Sequence, residues 1–393
     1  MSPPSISLTP FSLSFSRPLE TSQGAIDTRE GVLVTVERDD VRGIGEASPL
    51  PGWTESLAEC ERALERATAA SDASSGETAG DRGGKDEGSD LEAALDALGP
   101  HETPAARHGL AMALADRRAR DAGRPLYREL GGEEDIERVP VNATIGDGTP
   151  DETADSATEA IEEGFRHLKM KVGARGVEAD AARLHAIEEA AAEADAAIDT
   201  DVKVRADANE AWSRQEARMA LGALEAVEAE GRKEGPRTTR LAYVEQPLPA
   251  DDLAGHAALR AESETPIALD ESVSIHGIEE ILDAGAADVL VCKPMVLGGL
   301  DRARRVALRA RNAGIEPVVT TTIDGAVARA GATHLAASLA PIGACGLATA
   351  DRLATDLVGT DPTPVTDGYA RVPEGPGAFD GDLLSDALDE PRS

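Results

Sequence analysis

Aromatic side chains make up only 2% of this 393-residue chain: four Phe, three Tyr and two Trp. Any core must therefore be built from Ala, Val, Leu and Ile, and a hydrophobic fraction of 41% supplies enough of them. Cysteine is as scarce. Cys60, Cys292 and Cys345 stand far apart, which excludes a zinc spacing or a disulfide framework and suits a reducing interior. No signal-like leader and no run of 18 apolar residues occurs, so a soluble, cytoplasmic protein is expected.

Positive charge is also in short supply, and the formal net charge is −34. The acid is spread along the whole length, and the periodic apolar segments exclude an acidic disordered chain. Such a surface fits a cytosol of very high salt. At molar salt the Debye length is about 3 Å, so self-repulsion is screened while carboxylates hold water at the surface. The same charge excludes nucleic acid and anionic membrane as partners. It leaves a small-molecule ligand, with monomer and homo-oligomer both compatible.

Lysine is the rarest charge of all. Of 39 basic residues only six are lysine: Lys85, Lys169, Lys171, Lys203, Lys233 and Lys293. Three of these fall at the ends of apparent strands, in "HLKMKVG" and "VLVCKPM". Arginine keeps its proton in a protein, whereas a lysine can act as a base. Between the two sites, Asp207 ("KVRADAN"), Glu245 ("LAYVEQP") and Asp270 ("PIALDES") each close an apolar run.

The chain divides by rhythm. Residues 5–15 and 31–38 alternate like half-buried strands, followed by the Gly/Pro-rich loop 43–53 and a helix over 55–69. Residues 70–90 are low complexity and read as an exposed, mobile acidic insertion. Helical patterns return at 91–98 and 104–122. From 138 onward, apolar strands alternate with helices: 138–146, "FRHLKMKVG", "DVKVRAD", "LAYVEQP", "PIALDES", "ADVLVCKP" and "IEPVVTTT". A polar insertion near 229–239 interrupts this rhythm, and a short eighth strand falls near 341–346. Strands buried on both faces with no dinucleotide-type glycine turn favour a closed α/β barrel over an open sheet. The expected division is 1–135 as an α+β capping domain, 136–349 as a (β/α)7β TIM-type barrel, and 350–393 as a segment returning to the cap.

Barrel geometry makes the scattered residues converge. Positions i and i+2 of a strand share a face, so Lys169 and Lys171 point together into the barrel, roughly 6–7 Å apart at Cα. Their repulsion, about 2.4 kcal/mol at an effective dielectric of 20, should push one lysine towards neutrality. Neighbouring carboxylates oppose that shift. Asp207, Glu245 and Asp270 open on the same barrel mouth, and three acids brought together require a cation. All-oxygen ligation selects a hard ion, Mg²⁺, with Mn²⁺ as a substitute. Taken alone, Asp207 could equally be a helix N-cap. A cation beside a neutral lysine suits proton abstraction next to a carboxylate, through an enediolate. The seven histidines are scattered and end none of the metal-site strands. Gly298–Gly299 reads as a tight turn. Thr320, Thr321, Thr322 and Asp324 either contact substrate or cap the next helix.

The set Lys169-x-Lys171, Asp207-x-Asn209, Glu245-Gln-Pro, Asp270-Glu271-Ser and Lys293 resembles the enolase superfamily, in its muconate-lactonizing subgroup. "GIGEASPLPGW", "VNATIG" and "GLAT" look like the o-succinylbenzoate synthases within it. That resemblance implies syn dehydration of 2-succinyl-6-hydroxy-2,4-cyclohexadiene-1-carboxylate in menaquinone biosynthesis. It implies Asp207, Glu245 and Asp270 as Mg²⁺ ligands and Lys171 as the acid–base residue. Lys169 would hold the carboxylate and tune Lys171, while Lys293 would face the substrate ring. Pro51, Trp53, Asn209, Thr320, Thr321, Thr322, Asp324 and Leu347 are the implied substrate contacts. Two departures bear on the pocket. Members of the family often carry Ser-Ser and a Glu where this chain has Thr320 to Asp324. The D-x-D of the related epimerases is missing, since "CGLATADR" offers only Asp351. N-acylamino acid racemase, dipeptide epimerase and muconate cycloisomerase share the same lysines and metal. A Schiff-base lyase using Lys293 would leave the three acids without a purpose. A non-enzymatic acidic scaffold would leave the lysines without one.

Overall fold

The computed structural model describes residues 4–21, 24–76, 89–195, 201–234 and 239–384. Among the described residues three sheets form. The first is an antiparallel meander of β1 (Ser5–Thr21), β2 (Gly24–Arg38) and β3 (Val41–Ala47). Its inner face, with Val32, Val34 and Val36, packs on helices Leu57–Gly76 and Pro104–Asp121. The last helix lies almost against the strand backbone: a Cβ at Gly45 would sit 2.0 Å from the Gly109 carbonyl oxygen.

Three expectations about this region change. Residues 43–47, expected to open a Gly/Pro-rich loop, belong to β3, because their backbone pairs with β2 from Val32–Ala47 onward. β2 begins at Gly24 rather than near 31, because the polar run 25–30 pairs with β1 through Leu19–Ile26 despite lacking an apolar stripe. The first helix continues to Gly76, so the low-complexity stretch is helical at its start. The remainder of that expected insertion, 77–88, lies outside the described residues, as do 235–238 of the polar insertion and 385–393 of the C-terminal segment.

β4 (Arg138–Pro140) and β5 (Ala143–Ile145) divide what reads in sequence as one strand. β4 turns away and pairs with the hairpin of β12 (Val365–Thr366) and β13 (Tyr369–Arg371). β5 starts a seven-stranded parallel sheet with β6 (His167–Lys171), β7 (Val202–Asp207), β8 (Thr239–Glu245), β9 (Ile267–Leu269), β10 (Val289–Cys292) and β11 (Glu316–Val319). The sheet curls shut through two adjacent residues. Cys345 bridges to Val141 and Gly346 bridges to Thr320, so the eighth strand is reduced to these two contacts. The fold is thus a TIM-type (β/α)7β barrel with a separate antiparallel capping sheet.

Packing explains why so acidic a chain holds together. Leu168, Met170, Val204, Ala206 and Val244 are completely buried, and small aliphatic side chains fill the core that aromatics do not. Helix Ala326–Ser338 is buried along its whole length, wedged between barrel and cap. The C-terminal stretch returns to the first region: Ala354 N–H donates to the Ser14 carbonyl at 2.8 Å, and Ala378 N–H to Asp116 at 2.6 Å.

Candidate active site

Strand register places the chemistry. Lys171 of β6 lies opposite Asp207 of β7, and Asp207 lies opposite Glu245 of β8. Side chains alternate along β6, so Leu168 and Met170 are buried outward while Lys169 and Lys171 face the barrel axis. Lys169 Nζ bridges Asp207 Oδ2 at 2.9 Å and Glu245 Oε1 at 2.8 Å. Lys171 Nζ meets Asp207 Oδ2 at 2.6 Å and donates to Asn209 Oδ1. Across the mouth, Lys293 Nζ meets Asp270 Oδ2 at 2.7 Å. The structure therefore brings all three lysines and all three acids together.

The supporting contacts are as ordered as the site. Asn209, in a left-handed backbone conformation, donates from its amide to Glu271 Oε1 at 3.0 Å. Gln246, fully buried, accepts the backbone N–H groups of Asp270 and Ser272 at 2.9 and 3.1 Å. It thereby fixes the turn that presents Asp270. Arg183 donates to the Lys171 carbonyl at 2.6 Å and to the Gly146 carbonyl, anchoring the end of β6. Glu271, Gln246 and Arg183 were not singled out from sequence. Glu271 and Gln246 sit inside matched motifs, but nothing in their spacing marks what they touch.

Electrostatics bears on one of the two β6 lysines. Lys169 is not pushed towards neutrality. Burial opposes its charge, yet Asp207, Glu245 and Asp270 outweigh burial and hold its pKa well above the ordinary lysine value. The acids respond unequally. Burial raises Asp207, but contact with two ammonium groups carries it well below the usual carboxylate range. Glu245 meets only Lys169, so burial prevails and its pKa rises to about 7. Burial likewise raises Asp270 and Glu271.

Among the described residues no three His, Cys, Asp or Glu side chains are drawn tightly enough around one point to hold a metal as they stand. The ammonium groups lie between the acids. The donor set nonetheless suits a hard divalent ion. Asp207, Glu245 and Asp270 are 1%, 2% and 5% exposed, all their donors are oxygen, and Asp270 Oδ1 is buried with no partner.

The expected substrate contacts fall into two groups. Trp53, half-buried on the loop after β3, lays its ring 3.4 Å from Lys293 Nζ, with Pro51 exposed beside it. Thr320 donates to the Gly346 carbonyl at 3.0 Å, and Thr321 lies 3.4 Å from the Thr349 hydroxyl. Leu347 is buried next to that bridge. Thr322 and Asp324 instead meet Arg29 of β2, each at 3.0 Å.

A barrel of this topology, with amines on two walls and acids between, is the architecture of a proton-transfer enzyme. The chain belongs to the enolase superfamily: residues 152–378 match the family described as "Enolase C-terminal domain-like". It is 30% identical over 326 residues to the L-Ala-D/L-Glu epimerase of Bacillus subtilis, covering 82% of this chain and 81% of that one. It is 28% identical over 334 residues to the o-succinylbenzoate synthase of Thermosynechococcus vestitus, covering 84% and 85%. The dipeptide epimerase of Enterococcus faecalis, solved with Mg and the dipeptide L-Leu-L-Tyr, superposes with a TM-score of 0.78 at 26% identity, covering 95% and 98%.

Proposed function

We propose that this protein is a Mg²⁺-dependent o-succinylbenzoate synthase, a carbon–oxygen lyase acting on a small cyclic carboxylate. The observation that carries the reading is the pair of amine walls. Lys171 stands against Asp207 on one side, Lys293 stands against Asp270 on the other, and the Trp53 ring covers Lys293. Asp207, Glu245 and Asp270 would hold the ion, whose positive charge would acidify the carbon next to a substrate carboxylate. Lys171 is the more exposed of the β6 lysines, at 40% against 21% for Lys169. It is thus the amine placed to take the α-proton and return it to the departing hydroxyl on the same face. Lys169, tied to two acids, would orient the carboxylate and stay charged. Residues 1–135 and 350–393 would form the cap that excludes water above residues 136–349.

The lack of a D-x-D after the last barrel strand supports dehydration over epimerisation of dipeptides. The similarity to the Bacillus subtilis epimerase over 82% of the chain favours epimerisation as the second reading. A single comparison separates them: the purified protein with Mg²⁺ is given the cyclohexadiene carboxylate, N-succinyl amino acids and dipeptides. Formation of the aromatic product is expected. Racemisation or epimerisation without aromatisation would overturn the proposal.

A further inference from the structure

Arg29, on β2, is 1% exposed. Its two Nη groups donate in four directions. Two bonds go to the Pro49 and Ser48 carbonyls, each at 2.5 Å, at the base of the turn that carries Trp53. The other two go to Thr322 Oγ1 and Asp324 Oδ1, each at 3.0 Å, just beyond the end of β11. One rigid guanidinium therefore ties the cap-side wall to the barrel-side wall. Glu46 runs a second tie alongside. It accepts Gly325 N–H at 2.8 Å and Ala328 N–H at 2.9 Å, and it also receives the Ser48 hydroxyl.

The backbone between the two ties is strained. Ile323 has a φ of 58°. For a β-branched residue that conformation is unfavourable and persists only where the surroundings enforce it. The enforcement comes from both sides, Arg29 on Thr322 and Asp324, Glu46 on Gly325.

We propose that Arg29 is a positioning residue for substrate selection: it fixes how far Trp53 stands from the end of β11, and so which substrate side group fits between Lys293 and the Thr320–Thr321 edge. Thr322 and Asp324 act through this joint. The inference rests on the proton-transfer site proposed above, but not on which member reaction that site performs. A lysine at 29 supplies a point charge instead of a planar fork and reaches only one of the two walls.

The test uses the full chain with Mg²⁺ and the variants Arg29→Lys and Arg29→Met. Steady-state kinetics are measured on whichever carboxylate the parent protein converts. Trp53 emission is followed in a Trp212→Phe background, and Mg²⁺ affinity by calorimetry. Expected are a KM increase of roughly tenfold or more with kcat within about threefold, altered Trp53 emission, and Mg²⁺ affinity within about twofold. Unchanged KM and emission would overturn the proposal. So would a joint fall of kcat, of substrate affinity and of Mg²⁺ affinity, or loss of cooperative melting in both variants, each of which makes Arg29 a folding residue only. A parent protein that converts only N-succinyl amino acids sinks the dehydration reading and leaves this test intact on that substrate. A parent that converts none of them leaves emission and Mg²⁺ affinity to decide.

Discussion

Replacing Lys169 by Met should weaken the protein, and magnesium should repair it. Lys169 Nζ sits 2.9 Å from Asp207 and 2.8 Å from Glu245, both nearly inaccessible to water. At an effective dielectric of about 20, each contact is worth about 6 kcal/mol before burial costs are subtracted. Truncating one partner of such a buried group typically costs about 3–5 kcal/mol net, because the other charge is left uncompensated. At about 2.1 cal/mol/K per residue, a chain of 393 residues has an unfolding entropy near 0.8 kcal/mol/K, so Tm should fall by about 4–6 °C in EDTA. The loss should shrink on acidification from pH 8 to 6, since Glu245 already protonates near 7 and, without Lys169, would do so higher still.

The assay is calorimetric melting of wild type and Lys169→Met at one fixed high ionic strength, with and without Mg²⁺. A ligand at a hundred times its Kd stabilises by about 2.7 kcal/mol, here about 3 °C. Carboxylates relieved of their ammonium should bind the cation more tightly, so Mg²⁺ should raise the variant's Tm more than the wild type's. A fall below about 1 °C in EDTA, or an equal Mg²⁺ effect on both proteins, would refute this account of the site.

Three further outcomes follow from named contacts. Lys171→Ala should lower turnover by about 10²–10⁴-fold and abolish exchange of the substrate α-proton with D₂O, with the circular dichroism spectrum unchanged; retained exchange would remove Lys171 from the chemistry. Burial and then Asp324 raise the pKa of Glu46 to about 7, so the native state binds that proton more tightly than the unfolded chain. That stabilisation is complete below about pH 4.5 and fades as pH rises through 7, an effect on the order of 3 kcal/mol. Stability measured from pH 5 to 8 should therefore slope downward less steeply in Glu46→Gln, and parallel slopes would argue against it. Gly45→Ala would place a methyl carbon 2.0 Å from the Gly109 carbonyl, and a loss above about 2 kcal/mol in denaturant melts is expected.

That six distant side chains would converge was legible because a parallel barrel converts sequence order into angular order. One side chain per strand end suffices to predict convergence, and Lys169, Lys171, Asp207, Glu245, Asp270 and Lys293 all meet as expected. What stayed hidden depends on three-dimensional detail that periodicity does not carry. Residues 25–30 give no apolar alternation, since this part of β2 projects past the core, and nothing in the sequence marks Arg29 as buried. The division of 138–146 between two sheets is set by a partner some 230 residues away, in the Tyr369–Arg371 hairpin. The lysine pair illustrates a different limit. Their mutual repulsion was estimated from one strand, whereas the outcome at Lys169 depends on three acids from three other strands.

The division of labour between the two basic residue types accounts for much of the design. The largest side chains buried below 2% exposure are Arg29, Arg183 and Arg329. Each serves as a joint, with Arg329 held by Asp356 at 2.9 Å and Asp361 at 3.2 Å. A guanidinium suits that task because it keeps its charge at any working pH and offers several fixed donors. Proton transfer demands the opposite, a group able to lose its charge. Half of the chain's six lysines are gathered at the barrel mouth, beside acids whose affinity for protons burial has raised at Glu245 and Asp270. Arginine thus carries the joints of this fold, while lysine is gathered at the mouth where the proposed proton transfer would take place.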